Sequence, residues 1–315
     1  MTTNAVPVQL HTILGANGVI ARELSRALAN RATIRQVSRT PRQVNRSDQT
    51  FSADLLDQNA VERAVEGSAV AYLVAGLEYR TKVWQAQWPR LMRNVIEACK
   101  RHHVRLVFFD NVYAYGVVTG KMTEETPFNP VSKKGEIRAR IAMTLLNEIR
   151  SGSLIAMIVR AADFYGPGAT TAMANVTVFN RLVNNKTPQW IGDPRKIHTF
   201  TYTPDAGRAV ATLAHAESAW GQTWHAPTSA DLITAEQFVR MACQEAHKPY
   251  RIQVAPNLLL RVMGLFMPVL RESQEMMYQF EYDYQFDSSK IRNELGISAT
   301  SYRDGIATTL HHAMQ

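Results

Sequence analysis

The sequence predicts an α/β fold, a doubly wound parallel sheet followed by a smaller C-terminal α+β cap. Three observations carry this. Short apolar runs alternate with amphipathic stretches through the first half; a glycine-bearing loop joins the first run to the first amphipathic stretch; and after about residue 165 prolines and glycines break the rhythm. Strands and helices taking turns build a parallel sheet covered on both faces, because a parallel pair needs a crossover long enough to hold a helix.

The elements follow in order. VQLHTIL (8–14) reads as a buried strand, and VIARELSRALAN (19–30) as a helix with Ile20, Leu24, Ala27 and Leu28 on one face. TIRQVSR (33–39) is the next strand, and a short strand ends at Ala53. A helix from Asp57 to Val65, a strand AVAYLVA (69–75) and a long helix near 82–102 come next, the last with Trp88, Leu91, Met92, Val95 and Cys99 at helical spacing. VFFD closes a strand over 105–110; a helix near 133–150 and a strand LIAMIVRAADF (154–164) complete the first half. From Gly166-Pro167-Gly168 onward the elements shorten. Residues 1–165 therefore form the expected nucleotide-binding domain, and 166–315 mainly a substrate cap, with one or two strands returning to the main sheet.

Composition narrows the function classes. The 315 residues are 46% hydrophobic and 20% charged, ordinary for a globular protein. A net charge of +8 and a pI near 9.6 suit an anionic partner, but Lys and Arg are scattered rather than gathered into a basic run, so a small phosphorylated ligand is expected and nucleic acid is not. Cys99 and Cys243 stand far apart with no Cys/His cluster; buried thiols are expected, and neither a disulfide scaffold nor a metal site. Residues 1–7 carry no basic leader, which points to a cytoplasmic setting, and LLLRVMGLFMPVL (258–270) is too short to span a bilayer, so it reads as a core or pocket-covering helix.

The loop LGANGVIA is the main chemical signal. Gly15 and Gly18 have the spacing of a GxxGxxG turn, with Ala21 at the third position. A backbone without Cβ turns sharply and lets a diphosphate approach, while unpaired N–H groups at the helix start meet its charge. Gly15, Asn17, Gly18, Val19 and Ile20 are the expected cradle of a dinucleotide in a Rossmann-type sheet. At the end of the second strand, where an acidic residue would hold a ribose 2′-hydroxyl, stand Ser38, Arg39 and Arg42; an arginine there pairs with a 2′-phosphate, so NADP is preferred to NAD. Asp54, after the third strand, can accept a hydrogen bond from the adenine amino group.

These residues, in their order, resemble the extended short-chain dehydrogenase/reductase family of NAD(P)-dependent epimerases and dehydratases. GANGVIA, ADLLD, YLVAG (72–76), RAADFYGPG (160–168), FTYTPDAGRAV (200–210) and YDYQFDSSKIRNELG (282–296) are each similar to a family segment. The resemblance implies cofactor contacts at Leu55, Val74, Ala75, Gly76 and Phe164 as well, and a homodimer. VFFDNVYAYG (107–116) is similar to the strand that carries the family's catalytic serine or threonine; counted back from Gly116, that position is Asn111, whose amide can donate to a substrate oxygen but cannot relay a proton.

The family's Tyr-x-x-x-Lys element is absent. NPVSKKGEIRAR (129–140) places Lys134 and Arg138 where Tyr and Lys would stand. Two cations one turn apart repel each other and are drawn to an anionic substrate or cofactor phosphate; alternatively Lys133, Lys134 and Arg138 only solvate the start of a helix. Lys134 or Tyr113, Tyr115 or Tyr165 would then be the nonstandard proton donor. Glu124 and Glu125 read as solvated, the His102/His103 and His311/His312 pairs as surface residues, and YQFEYDYQF (278–286) either as a stacking platform or as a half-buried strand. The sequence is compatible with two functions: an NAD(P)-dependent oxidoreductase or epimerase/dehydratase-like enzyme acting on a carbonyl or alcohol of a small anionic or sugar-like substrate, for which the resemblance implies a nucleotide sugar first, and a cofactor-binding sensor or scaffold without turnover.

Overall fold

A computed structural model describes residues 9–255 and 268–315. Its strands are β1 (Leu10–Leu14), β2 (Thr33–Ser38), β3 (Gln49–Ser52), β4 (Val70–Leu73), β5 (Arg105–Asp110), β6 (Lys121–Met122), β7 (Ala156–Arg160), β8 (Asp163–Tyr165), β9 (Gln189–Ile191), β10 (Phe200–Tyr202), β11 (Thr223–His225), β12 (Gln253–Ala255) and β13 (Gln285–Phe286). Seven form one parallel sheet in the order β11-β7-β5-β4-β1-β2-β3. The chain runs outward from β1 through β3, then crosses back to β4 on the other side of β1. That reversal opens a crevice at the carboxyl ends of β1 and β4, where ligands bind in such sheets.

Side-chain alternation along each strand builds two cores. Leu14, Leu73, Phe108 and Ile158 face one layer, made by α2 (Gln58–Val65), α3 (Thr81–Arg101) and α4 (Lys133–Arg150) through Val61, Leu91, Val95, Ile141 and Leu145. Their neighbours Ile13, Tyr72, Val107 and Val159 face the other layer, where α1 (Val19–Leu28) meets a helix from the second half, Thr203–His215. These two helices lie so close that a Cβ on Gly207 would stand 2.5 Å from the Glu23 backbone. Residues after 166 thus contribute to the main body as well as to a third core around Phe179, Trp190, Phe200, Phe238 and Tyr302. β11 also joins the main sheet, beside β7.

Two sequence expectations need correction. The run 154–164 is not one strand: after Arg160 the Ala162 N–H donates to Thr201 Oγ1, and β8 leaves the main sheet to pair with β10. In 278–286, Tyr278–Glu281 is a helical turn and extended structure is confined to the Tyr284 bridge to His198 and Gln285–Phe286. The apolar segment 258–270 lies outside the described residues up to 267. Among the described residues no helix is long and apolar enough to cross a membrane, and no group of His, Cys, Asp or Glu is arranged to hold a metal ion. Cys99 and Cys243 are free and buried.

Candidate active site

The cradle begins where β1 ends. Gly15 sits at φ +107°, and a Cβ there would lie 2.4 Å from the Ala75 Cα, so glycine is what lets the loop run against the end of β4. The Gly15 and Ala16 N–H groups both donate to the Val37 carbonyl at 2.9 Å, fastening the loop to β2. Asn17, also left-handed at φ 79°, turns its side chain outward to the loop after β2: its amide donates to the Thr40 carbonyl at 2.8 Å, and its oxygen accepts from the Arg42 N–H at 3.1 Å. Gly18 is the cap of α1 and supplies no side chain to the first helical N–H groups, whose partial positive charge faces the loop. A Cβ on Gly18 would make only an ordinary 3.6 Å contact. Ala21 is fully buried, the close packing the third position needs.

Around this loop the parallel strands deliver the other expected cofactor residues. Val74 and Ala75 are partly exposed past β4, Gly76 fully so. Ser38 is partly exposed and Arg39 exposed past β2; neither Arg39 nor Arg42 has a side-chain partner among the described residues. Asp54 is exposed, one carboxylate oxygen accepting from the Leu56 N–H at 2.9 Å, while Leu55 is buried. Phe164 stacks on Phe109, ring centres 6.1 Å apart, in the layer that Val74 also joins. Glycine loop, uncapped helix start and exposed arginines together fit the diphosphate and ribose of a dinucleotide.

The catalytic positions look different from the sequence expectation. Asn111 Oδ1 accepts from the Tyr113 N–H at 3.0 Å, leaving the amide nitrogen available. The Tyr113 ring stacks on Trp84, and its hydroxyl meets that of Tyr79. Burial first, then the charges of Tyr79 and Asp163, hold the Tyr113 phenol well above its ordinary range, so it stays protonated at neutral pH. Lys134 is fully buried. Its ammonium donates to Glu272 Oε2 and Glu275 Oε1, each at 2.8 Å, to the Glu272 carbonyl at 2.9 Å and to Thr81 Oγ1 at 3.0 Å, above the Tyr79 ring. The same carboxylates accept from the N–H groups of Thr81 and Lys133, the first residues of α3 and α4. Glu272 is pushed up by burial, yet the Lys134 and Thr81 hydrogen bonds prevail and bring it to about 2.

Arg138 is held separately. Its Nε donates to Asp110 Oδ1 at 2.7 Å and a second guanidinium nitrogen grips the same oxygen, with the ring of Trp88 4.4 Å away. Arg160 takes the other Asp110 oxygen at 3.3 Å and donates to the Tyr115 hydroxyl at 2.9 Å. That hydroxyl donates to His225 Nε2 at 2.9 Å, and His225 Nδ1–H donates to the Asp287 carbonyl at 2.7 Å. Burial lowers the His225 pKa to about 3, so the ring is neutral. The two expected cations therefore meet protein carboxylates rather than an open cleft, because each has its own acid. Glu124, expected to be solvated, is partly buried; its carboxylate accepts from the His225 N–H at 3.0 Å. Tyr165, a further candidate donor, lies in the third core, its phenol raised by burial.

Sequence reasoning missed Asp110, Glu272, Glu275 and a pair at the cap, Asp163 and His198, whose Oδ2 and Nε2 lie 2.9 Å apart. Asp110 stands within VFFDNVYAYG and Asp163 within RAADFYGPG, both segments similar to the family's; no local pattern marks the others.

Residues 11–224 match the family model described as the NAD dependent epimerase/dehydratase family. Among curated relatives the chain is 24% identical over 133 residues to an uncharacterised UDP-glucose epimerase of Bacillus subtilis, covering 42% of either chain. It is 24% identical over 172 residues to a 3beta-hydroxysteroid-dehydrogenase/decarboxylase of Arabidopsis thaliana, 51% of this chain and 30% of that one. The matched part thus spans less than half the length of these relatives. Solved structures follow the fold nearly end to end. The UDP-glucuronic acid 4-epimerase of Bacillus cereus in complex with NAD superposes with a TM-score of 0.79 at 16% identity, covering 96% of this chain and 98% of that one. The dTDP-glucose 4,6-dehydratase of Streptomyces venezuelae, with NAD bound, gives 0.77 at 18% identity, covering 96% of each chain.

Proposed function

Because the chain belongs to the NAD-dependent epimerase/dehydratase family, we propose that it is an enzyme that binds a nicotinamide dinucleotide and acts on an alcohol or carbonyl carbon of a small, sugar-like molecule. One observation carries this: Gly15 packed on Ala75, with Asn17 tying that loop to the segment bearing Arg39 and Arg42. Such a loop presents backbone amides to a diphosphate and places cations beside the adenosine ribose. NADP is the preferred cofactor, since Ser38 and Arg39 stand where NAD selection would want a carboxylate; the similar solved structures that hold NAD support a nicotinamide dinucleotide without deciding between the two. When bound, the dinucleotide supplies a hydride acceptor or donor.

The chain's own residues would do the rest. Asn111 offers its amide to the substrate oxygen, Phe164 and Val74 wall the nicotinamide side, and Tyr113 can donate a proton but not take one. Lys134 and Arg138 act as ties between elements rather than as the proton donor. A second reading, a dinucleotide-binding protein without turnover, draws on that same observation: both cations at the missing Tyr-x-x-x-Lys are already neutralised. Fluorescence of NADPH on mixing with the protein, followed by addition of carbonyl compounds while the reduced-nicotinamide absorbance is recorded, separates the readings. Oxidation of NADPH supports the enzyme; binding with no oxidation favours the second.

A further inference from the structure

Asp163 differs from every other acid in this wall of the site. Asp110 spends its oxygens on Arg138 and Arg160, and Glu272 and Glu275 spend theirs on Lys134 and two helix starts. Asp163 gives one oxygen to His198, and among the described residues its Oδ1 has no partner, with 22% of the side chain exposed. The imidazole is fixed in place: it lies between the rings of Phe280 and Tyr284, tilted 9° and 15° from them with centres 5.1 and 4.8 Å away, and is itself buried. Strand alternation sets the direction. Phe164 faces the Phe109 and Val74 layer on the cofactor side, so its neighbour Asp163 in β8 faces the opposite way, toward the cap.

Phenols converge on the same carboxylate. The hydroxyls of Tyr79, Tyr113, Tyr278 and Tyr284 are all held above their ordinary range, by burial first and with a contribution from the Asp163 charge. That of Tyr278 is buried without a hydrogen bond, and that of Tyr284 has only a poorly aligned contact with the Asp163 backbone N–H. Buried orphan hydroxyls are uncommon and mark either strain or a site that a polar ligand completes. Of the three cations of this wall, Lys134 stands between two carboxylates, while Arg138 and Arg160 share Asp110 and one Arg160 guanidinium nitrogen is left without a partner; none of them pairs with Asp163, whose own charge repels an anionic group brought beside it.

We propose that Asp163, positioned by His198, accepts the hydroxyl proton of a neutral, unphosphorylated substrate whose other hydroxyl groups are bound by Tyr278 and Tyr284. This rests on the enzymatic reading above and narrows it. The substrate O–H breaks, its proton passes to Asp163 Oδ1, and the electron pair left on oxygen forms the carbonyl as the adjacent C–H leaves as hydride to an oxidised nicotinamide dinucleotide. Hydroxylated rings suit the wall, since aromatic faces and phenol edges recognise ring faces and hydroxyls together.

The test uses the full chain, wild type, Asp163→Asn and Tyr284→Phe. Each is offered cyclohexanol, myo-inositol, phenyl β-glucoside and, separately, UDP-glucose, with saturating NADP⁺ or NAD⁺ and reduced-nicotinamide absorbance as one readout. Saturation-transfer NMR of the same compounds on protein without dinucleotide is the other. Expected are turnover of a neutral alcohol by the wild type, a loss of about 100-fold or more in Asp163→Asn, and saturation transfer to neutral compounds that weakens in Tyr284→Phe. Turnover in Asp163→Asn within about threefold of wild type, or preference for UDP-glucose, overturns the inference and leaves the enzymatic reading intact. No turnover by the wild type tells against the enzymatic reading, and NMR then decides: saturation transfer to neutral compounds that disappears in the variants keeps Asp163 as the ligand site, and no transfer to any neutral compound overturns it.

Discussion

Lys134 Nζ lies 2.8 Å from Glu272 Oε2 and the same distance from Glu275 Oε1, joining α4 to a segment more than a hundred residues away in sequence at the position where the family's tyrosine would stand. Removing one side of a buried ion pair strands the other, and the stranded charge costs more than the pair contributes. Lys134→Met is therefore expected to lower stability by about 2 to 4 kcal/mol, read by chemical or thermal unfolding, while NADPH affinity is retained. A variant with unchanged stability and weakened NADPH binding would instead put Lys134 in contact with the cofactor.

Arg39 is exposed and has no side-chain partner among the described residues, yet Asn17 fixes its loop. If it selects the 2′-phosphate, Arg39→Ala should weaken NADPH binding by about 1 to 3 kcal/mol and leave NADH binding almost untouched. Equal losses for the two dinucleotides would mean the arginine has no part in that choice.

Gly15→Ala must place a methyl group 2.4 Å from a backbone atom while keeping φ +107°. A left-handed non-glycine residue alone costs about 1 to 3 kcal/mol, so the melting temperature should fall and dinucleotide affinity with it. A variant as stable as wild type would show that the loop does not press on Ala75 as described.

Two buried histidines set an acid-side pH dependence. Burial, and then the charge of His215, lowers His11 to about 4, and burial lowers His225 to about 3, both from 6.5. Below pH 6.5 the unfolded chain takes up protons that the folded one refuses, so stability is full above that pH and falls as pH drops toward the folded values. Each histidine contributes a slope approaching 1.4 kcal/mol per pH unit, about 2 kcal/mol by pH 5. Carboxylates held low, such as Glu272, enter only at lower pH, while Glu124 and Asp205, both pushed up by burial, gain stability as pH falls and offset part of the histidine slope. Unfolding curves between pH 7.5 and 5 check this, and His11→Gln should flatten the slope; stability independent of pH across that range would refute the assignment.

The main sheet and the glycine turn after β1 are readable in the sequence because both are written in local pattern. The alternation Ile13/Leu14 and Val107/Phe108 assigns residues to opposite layers within a single strand, and Gly15 is demanded by one turn. The site's electrostatics were not readable in that way. Lys134 finds its carboxylates 138 and 141 residues away, and Asp163 its histidine 35 away, distances over which periodicity carries no information. Two cations at helical spacing looked like a pair competing for one anion, whereas each has a separate acid delivered by another part of the fold. The aromatic alternation of 278–286 misled for a related reason: Tyr278 and Tyr284 face a common point from a helical turn and an extended end, not from one strand.

Calorimetric titration of the full chain with NADPH and NADH tests the cradle most directly. Heat of binding for both, with NADPH the tighter, is the expected result. No heat with either, up to millimolar concentration, would contradict the account at its base.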